Sequence, residues 1–168
     1  MSCTLRLWLI VLSSLILGAV FASCGAAPAL DKTIYSNTSN KELKQKALRL
    51  VKSIRDLVDS YNKKDRELMA EYDKKNKPEI RIDERRVMRE QWLRESDAVH
   101  DSSMRYYRDN YWSDAILLRN ELYRRPLRLP KKLNQTNLAP IYQNPTNVLG
   151  IQVIADHLEL ISKSLPDS

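Results

Sequence analysis

The chain has 168 residues, a formal net charge of +7 and only three glycines. This length corresponds to one ordinary domain, and the scarcity of glycine favours helices joined by plain loops. The two cysteines, Cys3 and Cys24, both lie near the N-terminus, so the folded part has no internal disulfide and nucleophilic sites built on Cys and His are excluded.

The N-terminal segment has the layout of a secretory signal peptide. Arg6 precedes an almost unbroken apolar run from Leu7 to Ala22, and small residues follow it. The run is shorter than the roughly 20 apolar residues that a membrane-spanning helix needs. We therefore expect residues 1–24 to be a signal peptide, which predicts that the protein is secreted.

Two features of the sequence bear on the route of export. Ala22-Ser23-Cys24 resembles the end of a bacterial lipoprotein cleavage box, in which the cysteine is lipid-modified, although Phe21 departs from that pattern. The acceptor triplets at Asn37 and Asn134 instead favour glycosylation in a eukaryotic secretory pathway. Both interpretations stay open at this point.

Residues 25–38 are small and polar without periodicity, which predicts a flexible N-terminal arm. Ser39 and Glu42 have the spacing of a capping box, so a helix is expected to start at residue 39. Apolar residues recur every three or four positions to residue 61 and more weakly to Tyr72. A helix from 39 to about 74 either projects beyond a domain of this size or kinks near residues 62–65.

Asn76-Lys77-Pro78 ends the first helix, and Asp83 is the expected N-cap of a second helical stretch reaching residue 123. Asp101-Ser102-Ser103 lies between two sets of apolar positions and resembles a capping sequence. The stretch is therefore expected to form two helices, 84–100 and 103–124, or one helix kinked at Asp101.

Residues 125–144 contain prolines and basic pairs, which predicts a long loop. Asn144 as N-cap and Pro145 in the first turn would open the last and most apolar helix, which is expected to lie centrally. The sequence thus predicts an all-α domain over residues 39–165, a small bundle of three to four helices whose first and second helical stretches are long.

Residues suited to catalysis are scarce. The only histidines, His100 and His157, lie on different predicted helices, and each is next to an aspartate only in sequence. No His or Cys pair stands at the spacing of a metal site. We therefore expect neither an enzyme nor a bound cofactor or metal ion.

Two groups of residues are candidates for binding a protein partner or receptor. The first is an aromatic and arginine cluster, whose residue types dominate interface hot spots, and the second is a basic group that could also attract sulfated glycans or an anionic membrane surface. The first group contains Arg105, Tyr106, Arg108 and Trp112, and the second contains Arg124, Arg125, Arg128, Lys131 and Lys132. An aromatic core with a solvated charged rim is the alternative, and export argues against nucleic acid as a partner.

Secretion, a helical fold and the lack of catalytic groups together predict a protein that acts by binding a protein partner or receptor. The alternative is a bacterial envelope lipoprotein, anchored through Cys24, with a structural or binding role. Arg124-Arg125 and Lys131-Lys132 are also dibasic pairs of the kind that processing proteases cleave, and Pro126 disfavours cleavage at the first pair.

Overall fold

A computed structural model describes residues 34–128 and 139–166, except for the side chains of residues 139 and 140. The predicted signal peptide, Cys24, Asn134, Lys131 and Lys132 lie outside the described residues. The described part is all-α, as predicted, and contains no strand. Its five helices are α1 (Asn40–Lys75), α2 (Ile82–Asn110), α3 (Trp112–Arg124), α4 (Ala139–Gln143) and α5 (Val148–Lys163).

The N-terminus of α1 is capped as the sequence predicts. The Ser39 hydroxyl accepts a hydrogen bond from the Glu42 backbone N–H at 3.3 Å, and the Glu42 carboxylate accepts one from the Ser39 N–H at 3.3 Å. The helix then runs without interruption through residues 62–65 to Lys75. With 36 residues, α1 is about 54 Å long.

The start of α2 differs from the prediction. Arg81, not Asp83, is the N-cap residue, and its side chain makes no capping hydrogen bond, while Asp83 lies inside the first turn. The connection from α1 is held by the Arg85 side chain, which donates to the Ile80 carbonyl at 3.0 Å and to the Pro78 carbonyl. Arg85 thus fixes the turn before α2, but as a donor it does not cap the N–H groups of the first turn.

The alternative of two helices, 84–100 and 103–124, is wrong, because α2 continues through Asp101 to Asn110. The hydroxyls of Ser102 and Ser103 each donate to the Val99 carbonyl at 2.9 Å, so these residues bond back along the helix instead of capping a new one. The helical geometry is interrupted at Tyr111, whose φ of −127° lies outside the helical range, and α3 begins at the next residue.

The segment before the last helix is not loop throughout. Residues 139–143 form the short helix α4. The N-cap of α5 is Asn147, not the predicted Asn144, because the Asn147 side chain accepts from the Gly150 N–H at 2.8 Å. Pro145 consequently precedes α5 and does not lie in its first turn.

Helix α5 lies at the centre of the fold, as its apolar sequence predicts, and contacts each of the other four helices. It runs antiparallel to α1, since Arg55 forms an ion pair with Asp156 at 2.9 Å while the Asn40 amide donates to the Pro166 carbonyl. The buried core contains residues of α1, α2, α3, α4 and α5, including Leu43, Ala47, Leu50, Val51, Ile54, Val58, Met104, Tyr107, Leu118, Leu122, Tyr142, Ile151, Ile154, Leu158 and Ile161.

The described chain has two regions, which we call the bundle and the hairpin. The hairpin is residues 59–100, the second half of α1 and the first part of α2, and the bundle is the remainder. The two hairpin helices are antiparallel: Tyr61 packs on His100 with ring centroids 6.2 Å apart, and the Ser96 hydroxyl donates to Asp65 at 3.1 Å. No hairpin residue is fully buried.

Candidate functional site

The most unusual polar group in the described structure is His157 on α5, which is only 6% exposed. Its Nε2 lies 2.8 Å from the Tyr123 hydroxyl on α3, and its Nδ1 lies 2.9 Å from the Tyr142 hydroxyl on α4. The Tyr142 hydroxyl also donates to the Ile154 carbonyl at 3.3 Å. These contacts join three helices through one imidazole ring.

A neutral imidazole satisfies both tyrosine contacts, because one ring nitrogen donates a hydrogen bond and the other accepts one. Burial, reinforced by the positive charge of Arg119, lowers the pKa of His157 to about 4.

Arg119 and Trp112 complete the surroundings of this histidine. The Arg119 guanidinium lies over the rings of Tyr123 and Tyr142, at 5.4 and 5.1 Å from their centroids. The Trp112 indole N–H donates to the Tyr142 carbonyl at 2.8 Å. Trp112, predicted as a partner-binding residue, is therefore half-buried here and helps to position α4.

This arrangement offers little for acid–base chemistry. Both imidazole nitrogens of His157 are engaged by tyrosine hydroxyls, and burial raises the pKa of Tyr142, which keeps its hydroxyl protonated. Within the residues that the structure describes, no group of three or more His, Cys, Asp or Glu side chains could hold a metal ion. The contacts support a structural role for His157, the fixing of α4 and α3 against α5.

Arg125, predicted to bind a partner, instead holds the start of the described chain. Its guanidinium pairs with Glu121 at 2.9 Å and donates to the carbonyls of Tyr35, Ser36 and Thr38 at 3.3, 3.3 and 3.0 Å. Residues 34–37 form a turn, so the end of the predicted flexible arm is fixed to the end of α3. Arg124 also pairs with Glu121, at 3.4 Å, from a more exposed position.

The other predicted binding residues on α2 do not form one patch. Arg105 and Arg108 are exposed and one helical turn apart, whereas Tyr106 points about 100° away from Arg105 and packs on Tyr111, with ring centroids 5.7 Å apart. Arg128 is exposed and close to the end of α5, since its N–H donates to the Ser164 carbonyl at 2.9 Å. The structure thus separates residues that the sequence placed in one cluster.

Of the two predicted glycosylation sites, Asn37 is exposed in the turn before α1. Asn134, Lys131, Lys132 and the lipidation candidate Cys24 lie outside the described residues, so their predicted roles stay predictions.

The hairpin also has an exposed apolar surface that the sequence did not predict. Met69 follows the buried Val51 by 18 residues, about five turns of helix, so both side chains leave α1 in the same direction. Leu93 and Ile82 precede the buried Met104 by 11 and 22 residues, about three and six turns of α2. The face that is covered in the bundle therefore continues into the hairpin uncovered.

We call the residues Met69, Leu93 and Ile82 the hairpin face. Their exposed fractions are 44%, 42% and 83%. The regular spacing of these apolar residues was available as a signal in the sequence. The exposure of these side chains could not be predicted from the sequence, because it depends on how far α5 extends along α1.

Comparison with family models, with curated proteins and with solved structures finds no match to this chain. Among the described residues, no helix is both long and apolar enough to cross a membrane.

Proposed function

We propose that this chain is an exported helical protein that acts by binding a protein partner through the hairpin face, and not by catalysis. One observation supports this most directly. Val51 and Met104 are buried, while Met69 and Leu93 on the same helix faces are exposed. An apolar helix face needs a packing partner, and among the described residues the hairpin face stays exposed.

The charges of the hairpin suit a specific protein contact better than attraction to a polyanion. Residues 59–100 contain eleven basic and eleven acidic side chains, so the net charge of +7 lies entirely outside the hairpin. Such interspersed charges of both signs form a polar rim around the apolar side chains.

Site-specific photo-crosslinking tests this proposal. A photo-reactive amino acid replaces Met69 or Leu93 in the exported protein, and the matched control replaces Val87, which is also exposed but points about 120° away from Leu93 on α2. We expect a discrete protein adduct from Met69 and Leu93 that excess unlabelled protein competes away, and no such adduct from Val87. Equal adducts from all three positions, or none, contradict the proposal.

Export and the mode of attachment are a separate part of the proposal. The leader supports cleavage near residue 24, and Asn37 stands in an exposed turn where a glycan can be accommodated. The alternative, an envelope lipoprotein, requires an acylated Cys24 at the mature N-terminus.

Mass spectrometry of the mature protein distinguishes the two routes. Hexose-containing mass on Asn37 or Asn134 supports eukaryotic secretion, whereas a diacyl or triacyl mass on Cys24 supports anchoring in a bacterial envelope. An intact chain that still begins with Met1 in the cytoplasm contradicts both.

A second, weaker activity is favoured by the position of the basic residues. The end of α3, the start of α1 and the end of α5 meet at one end of the bundle, where Arg124, Arg128 and Lys41 are exposed. We propose that this end attracts sulfated glycans. Elution from immobilised heparin should then need less salt after substitution of Arg124 and Arg128 by glutamine, and unchanged elution contradicts this activity.

A further inference from the structure

We propose that the hairpin face is covered by the hairpin face of a second copy of this chain, in an antiparallel two-fold pair that converts two hairpins into a four-helix bundle. This inference rests on the proposed function and names its partner. Three features support the pair: the register of the two hairpin helices, the positions of the charged residues and the dimensions of the hairpin.

The register of the hairpin shows which residues lie at the same level. Tyr61 lies opposite His100, and Asp65 lies opposite Ser96. Continuing this antiparallel register by four residues places Met69 opposite the residue next to Leu93. The two apolar side chains therefore lie at the same height along the hairpin.

Charges on α1 are arranged around this level. Arg66 and Asp73 are exposed, lie seven residues apart, and leave α1 within about 60° of Met69. A two-fold axis perpendicular to the helix, at the midpoint of Arg66 and Asp73, places Arg66 opposite Asp73 of the partner subunit. Such a contact is isologous, so it forms twice.

Charges on α2 repeat this arrangement around the same axis. Three exposed charged residues leave α2 within about 40° of Leu93: Arg86, Arg89 and Asp97. Arg86 and Asp97 lie on either side of Leu93 and have opposite charges. Their midpoint lies between residues 91 and 92, which the hairpin register places opposite the midpoint of Arg66 and Asp73. One axis therefore also places Arg86 opposite Asp97 of the partner subunit.

Arg86 already pairs with Glu90 on its own helix at 3.2 Å. Exposed pairs of this kind contribute little to stability, so the guanidinium can contact both carboxylates or exchange one for the other.

The size of the surface fits a modest dimer. The two-fold axis brings residues 64–75 of α1 and 83–100 of α2 opposite their counterparts, about 18 and 27 Å of helix, and two helices side by side are about 20 Å wide. Each copy therefore presents about 450 Å², and a pair buries about 900 Å² or somewhat more, the size of a weak, transient contact. The antiparallel arrangement also places the two positively charged bundles at opposite ends, away from each other.

Sedimentation equilibrium on the exported protein tests the pair. The wild type should approach twice the mass of one chain as its concentration rises from about 1 µM to about 500 µM, since small interfaces belong to weak, transient complexes. Leu93→Glu should raise the dissociation constant by about 100-fold, because it places a charge in the apolar centre of both copies. Val87→Glu makes the same change outside the hairpin face and should leave the constant within about twofold.

A charge exchange tests the orientation independently of folding. Arg66→Asp should weaken the pair about tenfold, since it opposes two carboxylates at each symmetric contact. Adding Asp73→Arg should restore the wild-type dissociation constant. Circular dichroism of every variant confirms that the helices are retained.

A wild type that stays monomeric over this range, an equal loss with Val87→Glu, or a double variant that is no better than Arg66→Asp overturns the pair. If the monomer still gives adducts with a different protein from Met69 and Leu93, the proposed binding function stands and only the identity of the partner changes. If neither dimer nor adduct forms, both proposals fail.

Discussion

The bundle and the hairpin are built from the same two long helices but differ in what covers them. In the bundle, six residues of α1 between Leu43 and Val58 are buried, whereas no residue of α1 beyond Val58 is buried. Helix α5 has 16 residues, about 24 Å, and so covers less than half of α1. Amphipathic helices thus give a stable core where a third element lies across them and an exposed surface where it ends.

The largest difference between the regions is expected from truncating side chains. Leu158→Ala removes a fully buried side chain from the centre of α5 and should lower the free energy of unfolding by about 3 kcal/mol. Leu68→Ala makes the same change at a half-buried position of the hairpin and should cost about 1 kcal/mol. Urea denaturation measures both, and equal losses would show that the hairpin packs as tightly as the bundle.

Acid should weaken the bundle through His157. Its pKa is lowered to about 4 in the folded chain, against about 6.5 in the unfolded chain, so only the unfolded state takes up the proton between these values. Stability is complete above pH 6.5 and should fall by about 2 to 3 kcal/mol as the pH drops to 4.

Denaturation at several pH values measures this loss. His157→Gln should flatten the dependence between pH 6.5 and 4, whereas His100→Gln keeps it, since His157 is still present. An NMR titration of His157 in the wild type gives a second measurement that does not depend on whether His157→Gln folds. A titration midpoint near 6.5 for His157 contradicts the prediction.

The next largest loss of stability is expected from breaking the contact that holds residues 35–38 to the bundle. Arg125→Ala removes the half-buried partner of Glu121 and three hydrogen bonds to backbone carbonyls, and should cost about 2 kcal/mol. Arg124→Ala removes the more exposed partner of the same carboxylate, with a side chain 51% rather than 23% exposed, and should cost about 0.5 kcal/mol. Thermal unfolding compares them, and the reverse order would contradict the role given to Arg125.

The smallest effect is expected within the hairpin. Ser96→Ala removes the hydrogen bond to Asp65 and should change the free energy of unfolding by only about 0.5 kcal/mol. Hydrogen exchange should nevertheless accelerate in residues 59–100 and not in α5, because the hairpin opens without the bundle. Faster exchange in both regions would mean that the two open as one unit.

The capping residues illustrate how far the sequence predicts helix ends. Ser39 and Glu42 form the predicted box because both partners lie within one turn, so no distant residue is needed. Asn144 and Asn147 are equally good caps in isolation, and the chain uses Asn147. Asp101-Ser102-Ser103 contains good capping residues that remain inside α2, where the serine hydroxyls find the Val99 carbonyl.

The candidate binding residues were less predictable than the helices. Arg125 and Glu121 are one turn apart, but the carbonyls that Arg125 binds come from residues nearly 90 positions earlier. Tyr123, Tyr142 and His157 likewise converge from three helices. No local pattern signals either group, because each forms only when the helices pack.

Apolar periodicity, the paucity of glycine and one capping box were sufficient to establish an all-α chain with a long first helix, since these features act within a few turns of backbone. The extent of α1 that α5 covers, the helix interruption at Tyr111 and the burial of His157 were decided by tertiary packing. The same packing leaves Met69 and Leu93 exposed, because only the position of a neighbouring helix determines which part of an apolar stripe becomes core and which part stays at the surface.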